Sequence, residues 1–468
     1  MRKQVVSLIL FVCALCPNAH FAQADTAMGQ DEIWELVRDA YVYTFPLMMM
    51  DATATVFTNS VEPTSNRAPM NQFIHAKNLA TAAMKTVVTP NVDTIYTQAF
   101  IDLEDTALVL HKPAADRYFS VEILDAYTNC VVILGTGGDT QGEMTYLITG
   151  PDYDGAVSDA YEQVSMPTNT GWLLARIVVE DEADKVNVYA LQEQMDLIPL
   201  EIYESGNEYT APLGTKVAAH EYVPVEHVAS LSPEAYFAKA NELMALHRPP
   251  DEDTDILRRM EAIGVGPGQV FDMSLLGEDA LDQWTDMLAG LRDYLFEQSK
   301  DFYVNMGVWA YFGSPIAEFG TEYAYRAHIA LVGLGANPVS VAIYPSANTT
   351  DDGERLDGHN EYTIHFEKDG LPPTEEYGFW SITAYTQDDF LIDNAIDRYL
   401  INDRSGFTFN EDGSLDILLQ VNPPEDEGMH ANWLPVSEEA FHLVMRIYLP
   451  DESIISGAWM APSIEAQR

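Results

Sequence analysis

Two series of short segments, each alternating apolar with polar residues and each stopped by proline, glycine or asparagine, constrain this chain more than any other feature. The first series runs through 93–103, 107–112, 118–125, 129–135, 143–149 and 171–179, punctuated by Lys112-Pro113, Gly137-Gly138 and Gly150-Pro151. The second takes in 339–344, 361–366, 379–386, 398–402, 415–421 and 441–448. Segments so short and closely spaced leave no room for crossover helices. They predict antiparallel sheets folded as sandwiches or jelly rolls.

Helical periods fill the remainder. From Glu32 to Phe57 the residues Ile33, Leu36, Val37, Ala40, Tyr41 and Tyr43 recur at three- and four-residue steps, with Pro46 expected as a kink or stop. A second helical stretch is expected around Asn71 to Met84, leading into the turn at Thr89-Pro90. Between 231 and 305 the pattern is helical again: Ser232-Pro233 opens one helix and Arg248-Pro249-Pro250 closes it. A further helix runs from Tyr323 to Leu334, with Gly335 as a left-handed cap. The chain therefore divides into a leader at 1–24, an N-terminal helix with a β-sandwich domain at 25–225, a helical connector at 226–320 and a C-terminal β-sandwich domain at 321–468. The class is mainly β, or α+β overall.

The leader is Met1-Arg2-Lys3, an apolar stretch from Val5 to Leu15, Pro17, and Ala22-Gln23-Ala24, which reads as a secretory signal peptide cleaved near Ala24. No other run has membrane length, so the expectation is a periplasmic or secreted protein without a membrane span. Of 3 cysteines, Cys13 and Cys16 leave with the leader, and Cys130, within an apolar run, reads as a small buried hydrophobe. Lys and Arg number 24 against 73 Asp and Glu, a formal charge of −49. Such a field repels nucleic acid and anionic lipid, and it is screened within about 3 Å at molar salt, which fits a halophilic or marine setting. Both a monomer and a symmetric homo-oligomer are compatible with that surface.

The chemistry-bearing residues gather around strand starts. In Thr89-Pro90-Asn91-Val92-Asp93-Thr94-Ile95-Tyr96, alternation sends Thr94, Tyr96 and Gln98 to one face and Ile95, Thr97, Ala99 and Ile101 to the other. Asn91 and Asp93 suit an Asx turn. They also suit a site in which Asp93 and Tyr96 exchange protons and Asn91 anchors a substrate hydroxyl. A free tyrosine hydroxyl ionises near pH ~10 and needs a cation beside it to act as a base, for which Arg117 is the candidate. Arg117 suits a structural ion pair equally well. If the segments 93–103 and 118–125 are neighbours, Asp125, Tyr127 and Asn129 share a rim with Asp93 and Tyr96, and Thr94 and Tyr118 are further substrate-binding candidates. In the second half, Trp380, Tyr385, Arg398, Asn432, Trp433, Arg446 and Tyr448 are the corresponding substrate-binding candidates, core packing being the other reading of Trp380.

No Gly-x-Ser-x-Gly, His-Glu-x-x-His or P-loop is present, and the histidines are scattered. No cofactor and no transition-metal site is expected. The clusters Asp251-Glu252-Asp253 and Asp351-Asp352-Gly353-Glu354 offer at most weak Ca²⁺ binding, since neither has the spacing of a calcium loop.

Taken together, Thr89–Tyr96, Arg117-Tyr118, Asp125–Asn129, Phe379–Thr383, Asn432–Pro435 and Arg446–Pro450 resemble a bacterial two-domain family whose halves are the domains of unknown function 1254 and 1214. The likeness runs over 33–200 for the first and 320–465 for the second. It implies an exported protein rich in β-sandwich, and it carries no reaction or catalytic residue. From the residues themselves the expectation is a hydrolase or lyase acting on a carbohydrate or other hydroxylated small molecule. The competing expectation is a ligand-binding or envelope-interaction protein that performs no chemistry.

Overall fold

The structure is a computed structural model that describes residues 28–85 and 88–467, so the leader and its cleavage site lie outside the described residues. The first sandwich holds β1 Ile74–His75, β2 Thr94–Asp102, β3 Leu108–Lys112, β4 Phe119–Asp125, β5 Cys130–Gly135, β6 Met144–Thr149, β7 Glu162–Ser165, β8 Thr170–Val178 and β9 Asp196–Pro199, the first series falling on β2 to β6 and β8. These make two sheets, ordered β1-β2-β8-β4-β5 and β7-β6-β3-β9. Period-two alternation decides how they pack. Ile95, Ala99, Ile101, Val121, Ile123, Leu173 and Ala175 turn inward onto Leu108, Leu110, Tyr146 and Ile148, closing a sandwich core.

The second sandwich holds β10 Tyr303–Met306, β11 Trp309–Phe312, β12 Ala342–Ile343, β13 Ser346–Ala347, β14 Tyr362–Phe366, β15 Thr374–Thr386, β16 Leu400–Asn402, β17 Leu415–Gln420, β18 Trp433–Pro435, β19 Phe441–Pro450 and β20 Ile464–Ala466; the second series falls on β12, β14 to β17 and β19, while β10 and β11 come from the end of the stretch expected as helical connector. One sheet runs β10-β11-β13-β19-β15-β16 with β12 also on β19, and the other runs β18-β17-β14-β20. Trp380, Ile382, Met445 and Ile447 meet Ile364, Phe366 and Ile417 in a second core. The fold is mainly β within α+β, as the alternation requires.

The N-terminal helix, Gln30–Phe57, continues through Pro46, where the sequence suggested a kink or stop. A proline ring removes one hydrogen bond and crowds the preceding turn. Here the helix is buried on almost every side from Tyr41 to Met50, and that packing holds it together. Its partners are the connector helices, including Pro233–Leu246, and the helix Tyr323–Val332. The helix expected at 71–84 does not form. Asn71 sits at φ 61, and its side chain exchanges hydrogen bonds with the backbone of Asp102, donating to the carbonyl at 3.0 Å and accepting from the amide at 2.8 Å. Ile74 and His75 then pair with Gln98 and Thr97 as an edge strand. Tertiary pairing overrides an alanine-rich helical tendency.

Candidate functional site

The outer face of the first sandwich carries a row of polar residues set by strand register. Tyr96 on β2 pairs with Arg176 on β8, which pairs in turn with Ser120 on β4. Arg176 is only 4% exposed. Its Nη1 donates to Glu122 Oε2 at 2.8 Å and to Asn337 Oδ1 at 3.0 Å, while Nη2 donates to the Gly335 carbonyl at 2.6 Å. Gly335 takes φ +83, and a Cβ there would press on Leu174 at 2.9 Å, so this carbonyl reaches the guanidinium only from a glycine. The guanidinium carbon stands 5.5 Å from the Tyr96 ring centroid, within cation–π range. Tyr96 and Tyr344 are half-buried, and Tyr344 Oη accepts from Asn337 at 2.9 Å. Glu122 Oε1 and Thr94 Oγ1 are buried without a hydrogen-bond partner among the described residues.

The second sandwich presents its own polar face to this row. On β15 and β19, Phe379 pairs with Tyr448 and Ser381 with Arg446. Tyr118 packs edge-on against both Phe379 and Tyr448, at 5.4 and 5.1 Å between ring centroids. Two side chains from the turn before β2 lock the halves together. Asn91 Oδ1 accepts from the amides of Asp93 and Thr94, the expected Asx turn, and its Nδ2 donates to Tyr448 Oη at 2.6 Å. Asp93 Oδ2 accepts from Ser381 at 2.6 Å, and its Oδ1 lies 3.4 Å from Arg404 Nη2. Arg446 donates to Thr383 Oγ1, Tyr385 Oη and the Thr89 carbonyl, and Tyr385 Oη donates to the Pro90 carbonyl. The structure thus brings together Asn91, Asp93, Thr94, Tyr96, Tyr118, Tyr385, Arg446 and Tyr448 at one interdomain seam.

Burial governs the charges here. It pushes the Glu122 carboxyl up to about 7, against the pull of Arg176, and raises the fully enclosed Asp93 carboxyl against the pull of Arg404. An acid whose folded pKa lies above its unfolded value near 4.5 holds more protons folded than unfolded across that interval. Its stabilising contribution is therefore complete below about 4.5 and is lost as the pH rises through about 7. Glu122→Gln, uncharged throughout, is expected to flatten that part of the stability curve. Denaturant midpoints measured across the interval check it, and an unaltered slope would remove Glu122 from the account.

Other candidates lie elsewhere. Arg117 pairs with Asp184 at 2.5 Å and Asp116 at 3.3 Å, and the cation against Tyr96 is Arg176. The shared rim does not form, because β8 lies between β2 and β4. Both are antiparallel to β8 and so parallel to each other, which leaves Asp125, at the end of β4, across the sheet from Asp93, just before β2. Asp125 Oδ1 caps the turn by accepting from the amides of Tyr127 and Asn129, and Tyr127 Oη donates to the His247 carbonyl. Beside this turn, Arg326 is 1% exposed and ringed by Tyr43, Tyr127 and Tyr323. Trp380 is buried and stacks on Phe407, presenting no face to a sugar. Arg398 donates to the carbonyls of His430 and Trp433. Asn432 bridges the backbone at Thr408 and Asp416, and Trp433 Nε1 donates to the Gln420 carbonyl. Cys130 is half-buried, and burial with the nearby Glu122 raises its thiol.

Sequence reasoning missed Arg176, Glu122, Asn337 and Ser381. Two of them carried a signal: a single charge inside Phe119-Ser120-Val121-Glu122-Ile123-Leu124, and another inside Trp172-Leu173-Leu174-Ala175-Arg176-Ile177-Val178. A lone charge within an apolar strand must find a partner or lose its ionisation.

Two family models match the chain: Protein of unknown function (DUF1254) at residues 70–199 and Protein of unknown function (DUF1214) at 341–452. Among solved structures, the VPA0106 protein from Vibrio parahaemolyticus aligns with a TM-score of 0.68 at 20% identity, covering 93% of this chain and 100% of that one. The likeness is one of fold. An uncharacterized protein from Burkholderia cenocepacia covers 94% of each chain at 12% identity, with a TM-score of 0.45. No curated protein matches the chain.

Proposed function

This chain belongs to the family that joins domain of unknown function 1254 to domain of unknown function 1214, and because its buried charges gather where those two domains meet, we propose that the seam is the working site of an exported enzyme. The reaction is a lyase-type elimination on a small hydroxylated molecule that carries a carboxylate, sugar acids included. What carries this reading is the Arg176 guanidinium set 5.5 Å over the Tyr96 ring, in a row that faces the second domain. Elimination beside a carboxylate needs a group that takes the proton from carbon and a cation that neutralises the charge left on the carboxyl oxygens. The carbon–oxygen bond then breaks, and the leaving oxygen departs with a proton. Tyr96 is the proton carrier, Arg176 the cation, acting through its charge because its Nη donors are taken by Glu122, Asn337 and Gly335, and Glu122 the positioning residue that holds it. Hydrolysis of a glycoside asks instead for two carboxyl groups flanking the bond. The carboxyls at the seam are committed, Asp93 to Ser381 and Arg404, Asp403 to Arg404, and Glu122 to Arg176.

The export reading rests on the leader sequence, and the −49 charge suits a protein working in salt-rich surroundings. A binding protein without chemistry is the competing reading, favoured by how many seam groups serve to tie the domains together. The leaderless protein at high salt, incubated with sugar acids, neutral oligosaccharides and hydroxy acids, separates the two. A ligand that prefers the folded state stabilises it by about 2.7 kcal/mol at a hundredfold excess over its dissociation constant. The lyase reading expects stabilisation together with the ultraviolet absorbance of a newly conjugated double bond. A stabilising ligand recovered unchanged after long incubation would leave binding alone.

A further inference from the structure

Hydrogen-bond directions at the seam leave two hydroxyl protons without an acceptor among the described residues. A guanidinium only donates, so the Asn337 amide turns its oxygen to Arg176 Nη1, at 3.0 Å, and its nitrogen to Tyr344 Oη, at 2.9 Å. Tyr344 therefore accepts from Asn337 and keeps its own proton for another partner. Asn91 does the same to Tyr448. Its oxygen is held by the amides of Asp93 and Thr94, so its nitrogen donates to Tyr448 Oη at 2.6 Å. Both tyrosines come from the second sandwich, with 6.3 Å between ring centroids. The hydroxyls of Tyr96, Tyr344 and Tyr448 all lie within charge range of the Arg176 guanidinium. Tyr448 is 1% exposed, whereas Tyr96 and Tyr344 are half-buried.

Positive charge at the seam is fixed and negative charge is not. Arg176, Arg404 and Arg446 stay protonated. The hydrogen bonds of Arg446 go to Thr383, Tyr385 and the Thr89 carbonyl, none of them a carboxylate. Glu122, Asp93 and Asp403 are the acids, and burial raises all three, Glu122 to about 7 and Asp403 to about 6. An anion entering here meets cations that cannot discharge and acids that can take up a proton. The −49 charge of the whole chain opposes its approach, over a range that molar salt cuts to about 3 Å. Arg176 has no Nη donor left for the anion, since Glu122, Asn337 and Gly335 take them. The hydrogen bond has to come from a neutral donor beside the guanidinium.

We infer that Tyr344 is that donor: its hydroxyl bonds one oxygen of the substrate carboxylate while Arg176 supplies the charge, so the seam prefers acids to neutral sugars. This role rests on the elimination reading for its ligand, a small hydroxylated carboxylate, and adds to it a binding group drawn from the second domain.

D-galacturonate and D-gluconate are the probes, titrated by calorimetry into the full chain at high salt against their uncharged counterparts, D-galactose and D-glucitol. At least one acid is expected to bind saturably and at least tenfold more tightly than its counterpart. Tyr344→Phe should weaken that acid by about ten- to a hundredfold, the range for a hydrogen bond to a charged group, and leave the neutral compound unchanged. Circular dichroism checks the fold of the variant. If it does not fold, 3-fluorotyrosine at position 344 carries the test, through a fluorine resonance that the acid shifts and the neutral compound does not. Equal affinity for acid and counterpart would overturn the assignment. So would acid binding that Tyr344→Phe leaves unchanged, or no binding by either acid. Ultraviolet absorbance of a conjugated double bond tells this apart from the reaction itself. Acid binding weakened by Tyr344→Phe without that absorbance keeps the assignment and removes the elimination, and the absorbance with unchanged binding does the reverse.

Discussion

Arg176→Met is expected to lower the free energy of unfolding by about 3–5 kcal/mol, the range for removing one partner of a buried ion pair. The methionine fills much of the arginine's volume, so the loss is one of charge and hydrogen bonding more than of packing. What it leaves behind is Glu122 at 0% exposure, together with Asn337 Oδ1 and the Gly335 carbonyl, each without its donor. Asn337 and Gly335 belong to the segment that leads into the second sandwich, so the damage falls on the joint between the domains as well as on the first sheet. The double variant Arg176→Met with Glu122→Gln removes the stranded acid and is expected to recover part of the loss. The difference between the double change and the summed singles measures the coupling. Chemical denaturation of the four proteins decides the matter. A single variant within about 0.5 kcal/mol of wild type would place the pair among solvated surface contacts and undo the description of the seam.

The strands were legible because period-two alternation is a local signal, and the observed β2, β3, β4, β5, β6 and β8 fall within a residue or so of the segments read from the sequence. Glu162–Ser165, Asp196–Pro199 and the helix Lys185–Gln192 were not, being too short to show a period. The candidate site was legible as a list and illegible as a geometry. Asn91, Asp93 and Tyr96 were found from their types, but Asn91 meets a partner 357 residues away and Asp93 one 288 residues away. No local pattern reports such distances. The misplaced cation shows the same limit in a different form. Arg117 is a candidate cation by type alone and takes its other reading, an ion pair with Asp184, whereas β8 inserts between β2 and β4 and brings Arg176 directly across from Tyr96. Strand order, unlike strand existence, is settled by which hydrophobic faces can be covered together.

The sharpest consequence of the proposed chemistry concerns one oxygen atom. On the substrate returned by the ligand screen, Tyr96→Phe is expected to reduce kcat by about 10²–10⁴-fold, the usual contribution of a positioned proton carrier. The change keeps the ring, so the guanidinium at 5.5 Å from its centroid retains its aromatic contact and the row Tyr96, Arg176, Ser120 keeps its register. Stability should therefore stay within about 0.5 kcal/mol of wild type, which separates a chemical role from a structural one. KM should change little, since the hydroxyl is asked to act in the transition state more than in binding. Glu122→Gln gives the contrasting pattern. It touches no substrate, so it should shift the pH dependence of turnover through Arg176 while leaving a substantial rate at the pH where the native acid is protonated. Full turnover by Tyr96→Phe would exclude Tyr96 as the proton carrier. A raised KM with kcat intact would make its hydroxyl a binding group and return the seam to the non-catalytic reading.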